Sequence, residues 1–194
     1  MILLAALVAG SLTGLGIARW QGRSWAAPHL RAVWLVAVAF LPQLFTIYLP
    51  VTRLQTPDVL AAASLILSQA LLLVFCWLNR QIAGVWPLAL GTACNLLVIV
   101  ANGGFMPVSP QTAGHLVPPE VLATFETGAR FGWKDILLLP EQTRLAFLSD
   151  RFLLPEGLSY QVAFSFGDLL IAAGVFWLTA FERPDRKSKI TEET

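Results

Sequence analysis

The sequence predicts an all-α membrane protein with five transmembrane helices and one long external loop that carries short amphipathic helices. Three observations predict it. Of 194 residues, 56% are hydrophobic and only 13% are charged, where soluble domains carry about 25%. The mean hydropathy is +0.68. Five apolar runs approach the roughly 20 residues that cross a bilayer as a helix: about 2–18, 32–49, 59–78, 85–101 and 161–181. The first run lacks the basic start and cleavage site of a signal peptide and reads as a retained helix. The chain reads as one membrane domain, with residues 102–160 as the external loop and 182–194 as a cytoplasmic tail.

Five crossings put the termini on opposite sides, and lysine and arginine decide which. Arg19, Arg23, Arg31, Arg80, Arg183, Arg186, Lys187 and Lys189 fall on one side, eight of thirteen basic residues in little sequence. That side is expected to be cytoplasmic, which leaves the N-terminus and the long loop external. Trp20, Trp34, Trp77, Trp86 and Trp177 lie near the cytoplasmic ends of the runs, and Tyr48 and Tyr160 near the external ends. Such amphipathic rings favour interfaces.

The long loop opens on Asn102-Gly103-Gly104-Phe105-Met106-Pro107-Val108-Ser109-Pro110, whose glycines and prolines end the fourth run in a defined turn. Pro118-Pro119-Glu120 reads as a helix start. Glu141 to Leu153 alternates charge with Phe147, Leu148, Phe152 and Leu153, as an amphipathic lid does.

Polar residues inside apolar runs are few, so each is a candidate for structure or function. Asp168 is the only carboxylate within a long apolar run. Counted from the external ends of their runs, Asp168, Asn95 and Gln43 each lie seven residues in, or about 10 Å at the helical rise. Asn102 shares a helix face with Asn95, and Ser165 lies one turn from Asp168. These five residues form a candidate polar layer, expected to join helices by hydrogen bonds or to bind a small solute or ion. Asp168 is expected within hydrogen-bond reach of Asn95, Asn102 or the turn that follows. Gln69 sits nearer mid-membrane. Ala6, Gly10, Gly14 and Ala18 repeat every fourth residue, a stripe that lets helix backbones approach closely.

Other chemistry is sparse. His29 and His115 lie outside the apolar runs, and Cys76 and Cys94 read as small buried hydrophobes. No CxxC, HExxH, P-loop or GxSxG motif occurs. No catalytic residue, cofactor or metal site is expected, and a net charge of +1 argues against nucleic acid.

Three stretches carry a resemblance: Asn95 through Pro110, then Thr143-Arg144-Leu145 with Phe147-Leu148, then Phe164-Ser165-Phe166-Gly167-Asp168 running into LLIAAG. They resemble an uncharacterised family of bacterial integral-membrane proteins with an NGG-x-MP-x-S motif. The resemblance implies a multi-pass bacterial membrane protein and supplies no activity; the inner membrane is the expected location. It places Asn102, Gly103, Gly104, Met106, Pro107, Thr143, Arg144 and Asp168 in recurrent positions. The expected role is a non-catalytic accessory or scaffold subunit, embedded in the lipid bilayer and packed with partner subunits of a larger membrane complex of respiratory or photosynthetic type. The alternative is a transporter or binding protein for a small solute or ion, working through the layer around Asp168 and Asn95.

Overall fold

A computed structural model describes residues 2–53, 55–155 and 161–181. The basic tail residues Arg183, Arg186, Lys187 and Lys189, and Tyr160, lie outside the described residues. Helix dominates. Two helices are long and apolar enough to cross a membrane, α1 (Ile2–Trp20) and α4 (Asp58–Leu78). Three further apolar helical segments are shorter: Trp34–Tyr48, Val85–Ala101 and Phe166–Ala180.

The second segment shows how sequence bends a helix. Residues Trp34–Gln43 form α2, which contains Pro42. Proline has no N–H to give the carbonyl one turn back. The following residues, Leu44–Tyr48, widen into a π-helical turn, closed by the Leu49 N–H on the Leu44 carbonyl at 2.9 Å. The Thr46 hydroxyl donates to the Pro42 carbonyl at 2.8 Å. A short α3 (Pro50–Arg53) leads to α4. Within α4, Ser64 and Ser68 donate to the Leu60 and Ser64 carbonyls, so neither hydroxyl is stranded.

The helices pack as a row: α1 on α8 (Phe166–Ala180), α8 on α5 (Val85–Ala101), α5 on α4, and α4 on α2. Small residues set the close approaches. A Cβ on Gly10 would collide with the Thr179 hydroxyl, and one on Gly14 with the Thr179 carbonyl. The α1 stripe therefore docks inside the chain, on α8. On the other face of α8, Gly174 would meet the Leu88 amide at 2.7 Å and Gly167 faces Asn95 and the Gly91 carbonyl.

The segment between α5 and α8 is not the expected loop with amphipathic helices alone. It is a cap built on two small sheets. Strands β1 (Met106–Val108), β2 (Arg130–Phe131) and β3 (Asp135–Leu137) form one, in the order β1-β3-β2, with β1 parallel to β3 and β2 antiparallel. Strands β4 (Phe152–Leu153) and β5 (Ala163–Phe164) pair antiparallel. Two one-turn helices, α6 (Pro110–Ala113) and α7 (Pro119–Leu122), flank the first sheet. Val108, Ala113, Phe131 and Leu137 make a core under that sheet. A second cluster, including Ile47, Leu65, Val98, Ile99, Phe105, Met106 and Leu148, joins the cap to the helices.

Candidate functional site

The site is assembled where the cap meets the row of helices. The last helix starts later than its apolar run: the run begins near residue 161, but α8 begins at Phe166. Ser165 caps it, accepting from the Asp168 amide at 3.0 Å. The Asp168 carboxylate returns the bond to the Ser165 amide at 3.1 Å. This capping box satisfies two otherwise orphan donors, and a carboxylate in the first turn also suits the helix dipole. Asp168 is thus a first-turn residue, half-buried rather than seven residues down a helix.

Its partner is nevertheless the one that sequence places beside it. The Asn95 amide donates to Asp168 Oδ1 at 2.9 Å, and the Ser165 hydroxyl donates to Asn95 Oδ1 at 2.9 Å. The backbone amides of Ser165 and Asp168 close these bonds into a ring. Asn95 lies seven residues before Asn102, so α8 begins about 10 Å along α5 from its cap end. Residues 161–165 reach that level as extended chain. Gly167 makes the junction possible: a Cβ there would occupy the position of Asn95 Oδ1.

Gln43 and Asn102 do not join this ring. No described hydrogen bond links Gln43 to it. Gln69 has a buried side-chain oxygen without a described partner. Asn102 is the C-cap of α5, and its side chain clasps another segment. Its Oδ1 accepts from the Arg144 amide at 2.9 Å, and its Nδ2 donates to the Arg144 carbonyl at 2.8 Å and to the Val98 carbonyl at 2.8 Å. One buried asparagine thus replaces a strand partner for Arg144. The next residue, Leu145, is left-handed with φ 54°. Thr143 closes its own turn on the Leu139 carbonyl at 2.9 Å.

The rest of the Asn102–Pro110 motif shapes the turn and the first strand. Gly103 takes φ 77°, the left-handed residue that ends many helices. The Gly104 amide returns to the Ile99 carbonyl at 2.8 Å, and its missing Cβ leaves room for Ala62. Met106 and Pro107 lie in β1 and are buried. Ser109 caps α6, accepting from Thr112.

Beside the ring lies a charged cluster. Lys134 donates to Asp150 Oδ2 at 2.6 Å and to Asp135 Oδ1 at 3.2 Å. Asp150 is 2% exposed, and its Oδ1 is buried with no described hydrogen-bond partner. The Asp150 amide donates to the Pro107 carbonyl at 3.1 Å, which fixes the carboxyl under β1. Burial, with Asp135 and Asp168 nearby and Lys134 opposing, pushes the Asp150 carboxyl up to about 7. Burial also raises Asp135, against the pull of Lys134. Burial alone would lower Lys134, but Asp135, Asp150 and Asp168 outweigh it and hold the ammonium well above its usual range. The ring and the cluster therefore feel each other's charge. Trp133 roofs this corner, stacked on Tyr48 at 5.6 Å between ring centres, so Tyr48 is a docking surface for the cap.

Lys134, Asp135 and Asp150 are not among the residues that sequence reading singles out. One signal exists: Lys134 is the only lysine before position 187, set between a tryptophan and an apolar run. Among the described residues no group of three or more His, Cys, Asp or Glu is placed to hold a metal ion.

A protein-family model matches residues 28–180; it is described as a family of unknown function, DUF5317. No curated protein matches the chain, and no solved structure matches it.

Proposed function

The chain belongs to DUF5317, and from that premise we propose that it is a non-catalytic integral-membrane protein, an accessory or scaffold subunit within a larger membrane complex. All five apolar segments lie in the bilayer, with the cap outside and the C-terminus in the cytoplasm. One observation carries the reading. The helices keep large apolar side chains uncovered all along their outer faces, among them Leu4, Leu12, Phe40, Leu67, Leu90 and Leu97. Along α1 only Gly10, Gly14 and Ala18 are buried, and most of α4 is not buried either, whereas the core helix of a water-soluble domain is mostly buried. Contiguous apolar surface of this extent requires lipid or partner helices. The α8 helix has 15 residues, about 22 Å at the helical rise, and the capped chain above it completes the crossing. Extended backbone at that level, half-buried at 161–164 and buried at Ser165, pairs Ala163–Phe164 with Phe152–Leu153, so its polar groups find protein partners.

The polar side chains support a structural role. Asn95, Ser165 and Asp168 satisfy one another, and Asn102 is used up on backbone. The deciding experiment is purification from native membranes in mild detergent. A stoichiometric partner is expected, and its loss on replacing the outer α1 residues Leu4 and Leu12 by serine. A lone chain at every detergent concentration contradicts the subunit role.

A second reading has its own observation. The Asp150 carboxyl is buried beside the Lys134 ammonium and within side-chain hydrogen-bond reach of Asp135, and such a pair takes a shared proton or a small polar solute. Here the cap is the binding element of a solute- or ion-handling protein. Its test is a ligand screen by thermal shift on wild type and Asp150→Asn: a solute that stabilises only wild type favours it, and no stabilising solute removes it.

A further inference from the structure

At the end of the row opposite the cap, α4 and α5 enclose a crevice of about 200 Å³. Cys76 and Val85 form its floor, 2% and 1% exposed. Trp77 and Trp86 stand at its sides, 65% and 61% exposed, and Arg80 stands at its mouth. We propose that this crevice binds an anionic phospholipid, with an acyl chain against Cys76 and Val85 and the headgroup phosphate on Arg80. The inference rests on the membrane reading given above.

The shape, lining and charge point to that ligand. The volume lies below the roughly 300–1,000 Å³ of pockets that hold drug-sized molecules, and it suits a single chain better than a ring system. The lining is apolar except at one edge, so the ligand must be amphipathic. The polar edge is cationic: the Arg80 guanidinium lies 4.5 Å from the centre of the Trp77 ring. Nη1 donates to the Trp77 carbonyl at 3.0 Å, which fixes the group and leaves most of its five donors outward. No acidic side chain pairs with Arg80 among the described residues. A planar guanidinium suits phosphate.

The turn that carries Arg80 is itself held in place. Asn79, the residue before Arg80, clasps the backbone of Arg31. Its Oδ1 accepts from the Arg31 amide at 2.7 Å, and its Nδ2 donates to the Arg31 carbonyl at 2.9 Å. One anchored arginine and two exposed tryptophans thus stand at an otherwise uncharged crevice. Basic pockets between membrane helices bind anionic headgroups, and each basic residue near the surface contributes about 1 kcal/mol.

The test uses the full chain, delipidated in detergent, with phosphatidylglycerol and phosphatidylcholine of equal chain length, read by native mass spectrometry. Wild type is expected to hold one phosphatidylglycerol at least about fivefold more tightly than phosphatidylcholine, the effect of one engaged arginine. Arg80→Gln should erase that preference with an unchanged melting temperature. Ala89→Trp, which fills the crevice, should lower occupancy by both lipids. Glycerol phosphate, which has the phosphate without the chains, should not compete. Equal binding of the two lipids by wild type, a preference that survives Arg80→Gln, or competition by glycerol phosphate overturns the lipid site. Alkaline carbonate washing of native membranes separates this from failure of the membrane reading: a protein that stays in the pellet but shows no lipid preference refutes the site alone.

Discussion

The seam between α5 and α8 and the cap above it are held by opposite means. The seam is steric. Its contacts are backbone against backbone, made possible by Gly91, Gly167 and Gly174, and its polar groups are neutral or satisfied within a ring. The cap adds buried charge to a small apolar core. Its strands are two or three residues long, too short to hold by ladder bonds alone, and one lysine gathers two carboxylates beneath them. The difference teaches where each part is vulnerable. Added volume breaks the seam and leaves the cap's chemistry intact; added or removed charge loosens the cap and leaves the seam. On the membrane reading proposed above, lipid accounts for the division: between apolar helices in a bilayer, close packing replaces the hydrophobic effect as the source of association, whereas in the cap, outside the bilayer on that reading, removing one partner of a buried ion pair is costly.

The largest expected effect is at the seam. Gly167→Leu places a side chain where Asn95 Oδ1 and the Gly91 carbonyl now lie. Overpacking costs about 3 kcal/mol or more where backbone blocks relaxation, and here it also breaks the ring. The expected result is failure to recover folded protein from membranes, while Gly16→Leu, with open space around its Cβ position, behaves as wild type. If Gly167→Leu melts within a few degrees of wild type, the steric account of the seam is wrong.

Next is Lys134→Met. Removing the ammonium leaves buried Asp150 and half-buried Asp135 without their cation, at about 3 kcal/mol, the low end for a broken buried pair. Limited proteolysis should then cut the cap between residues 103 and 155 while the helices stay protected. Cleavage within α5 or α8 at the same rate would show that cap and seam are one cooperative unit.

The smallest expected effect sharpens the contrast through pH. The folded Asp150 carboxyl is raised to about 7, above the ordinary aspartate value of about 3.9. A raised carboxyl favours folding while it is protonated. Its contribution is full below about pH 4 and is lost as pH rises through about 7. Lys134, raised as well, contributes below its ordinary value of about 10.4 and loses that only at higher pH. Cap stability should therefore fall between about pH 4 and 7, as read by hydrogen exchange of β1 and β3 amides, and Asp150→Asn should flatten the slope. Amides of the α5–α8 seam should show no such slope in either protein.

The parts differ in how far sequence reveals them. The apolar runs locate the helices because composition alone marks them, and the Asn95–Asp168 pairing follows from the small number of polar groups available to meet. The depth of Asp168 does not, because an apolar run continues through residues 161–165 while the helix does not. Ser165, three residues before Asp168, was the signal of a capping box there. The strands of the cap are too short to show a period of two, and Lys134 and Asp150 are 16 residues apart on irregular chain, where no spacing rule applies. Asn79 clasps backbone as Asn102 does. Both are asparagines at the end of an apolar run, yet only the one followed by two glycines announces itself as a helix end.

The central claim is that the cap lies outside a membrane whose interior holds the five apolar segments. Single cysteines test it most directly, in a chain whose own Cys76 and Cys94 are replaced by alanine. Glu120 is exposed on the cap, and Arg80 is exposed at the opposite end of the row. With a membrane-impermeant maleimide, Glu120→Cys should label in intact cells, and Arg80→Cys only after the cells are opened. Equal labelling of both in intact cells, or the reverse order, would contradict the account.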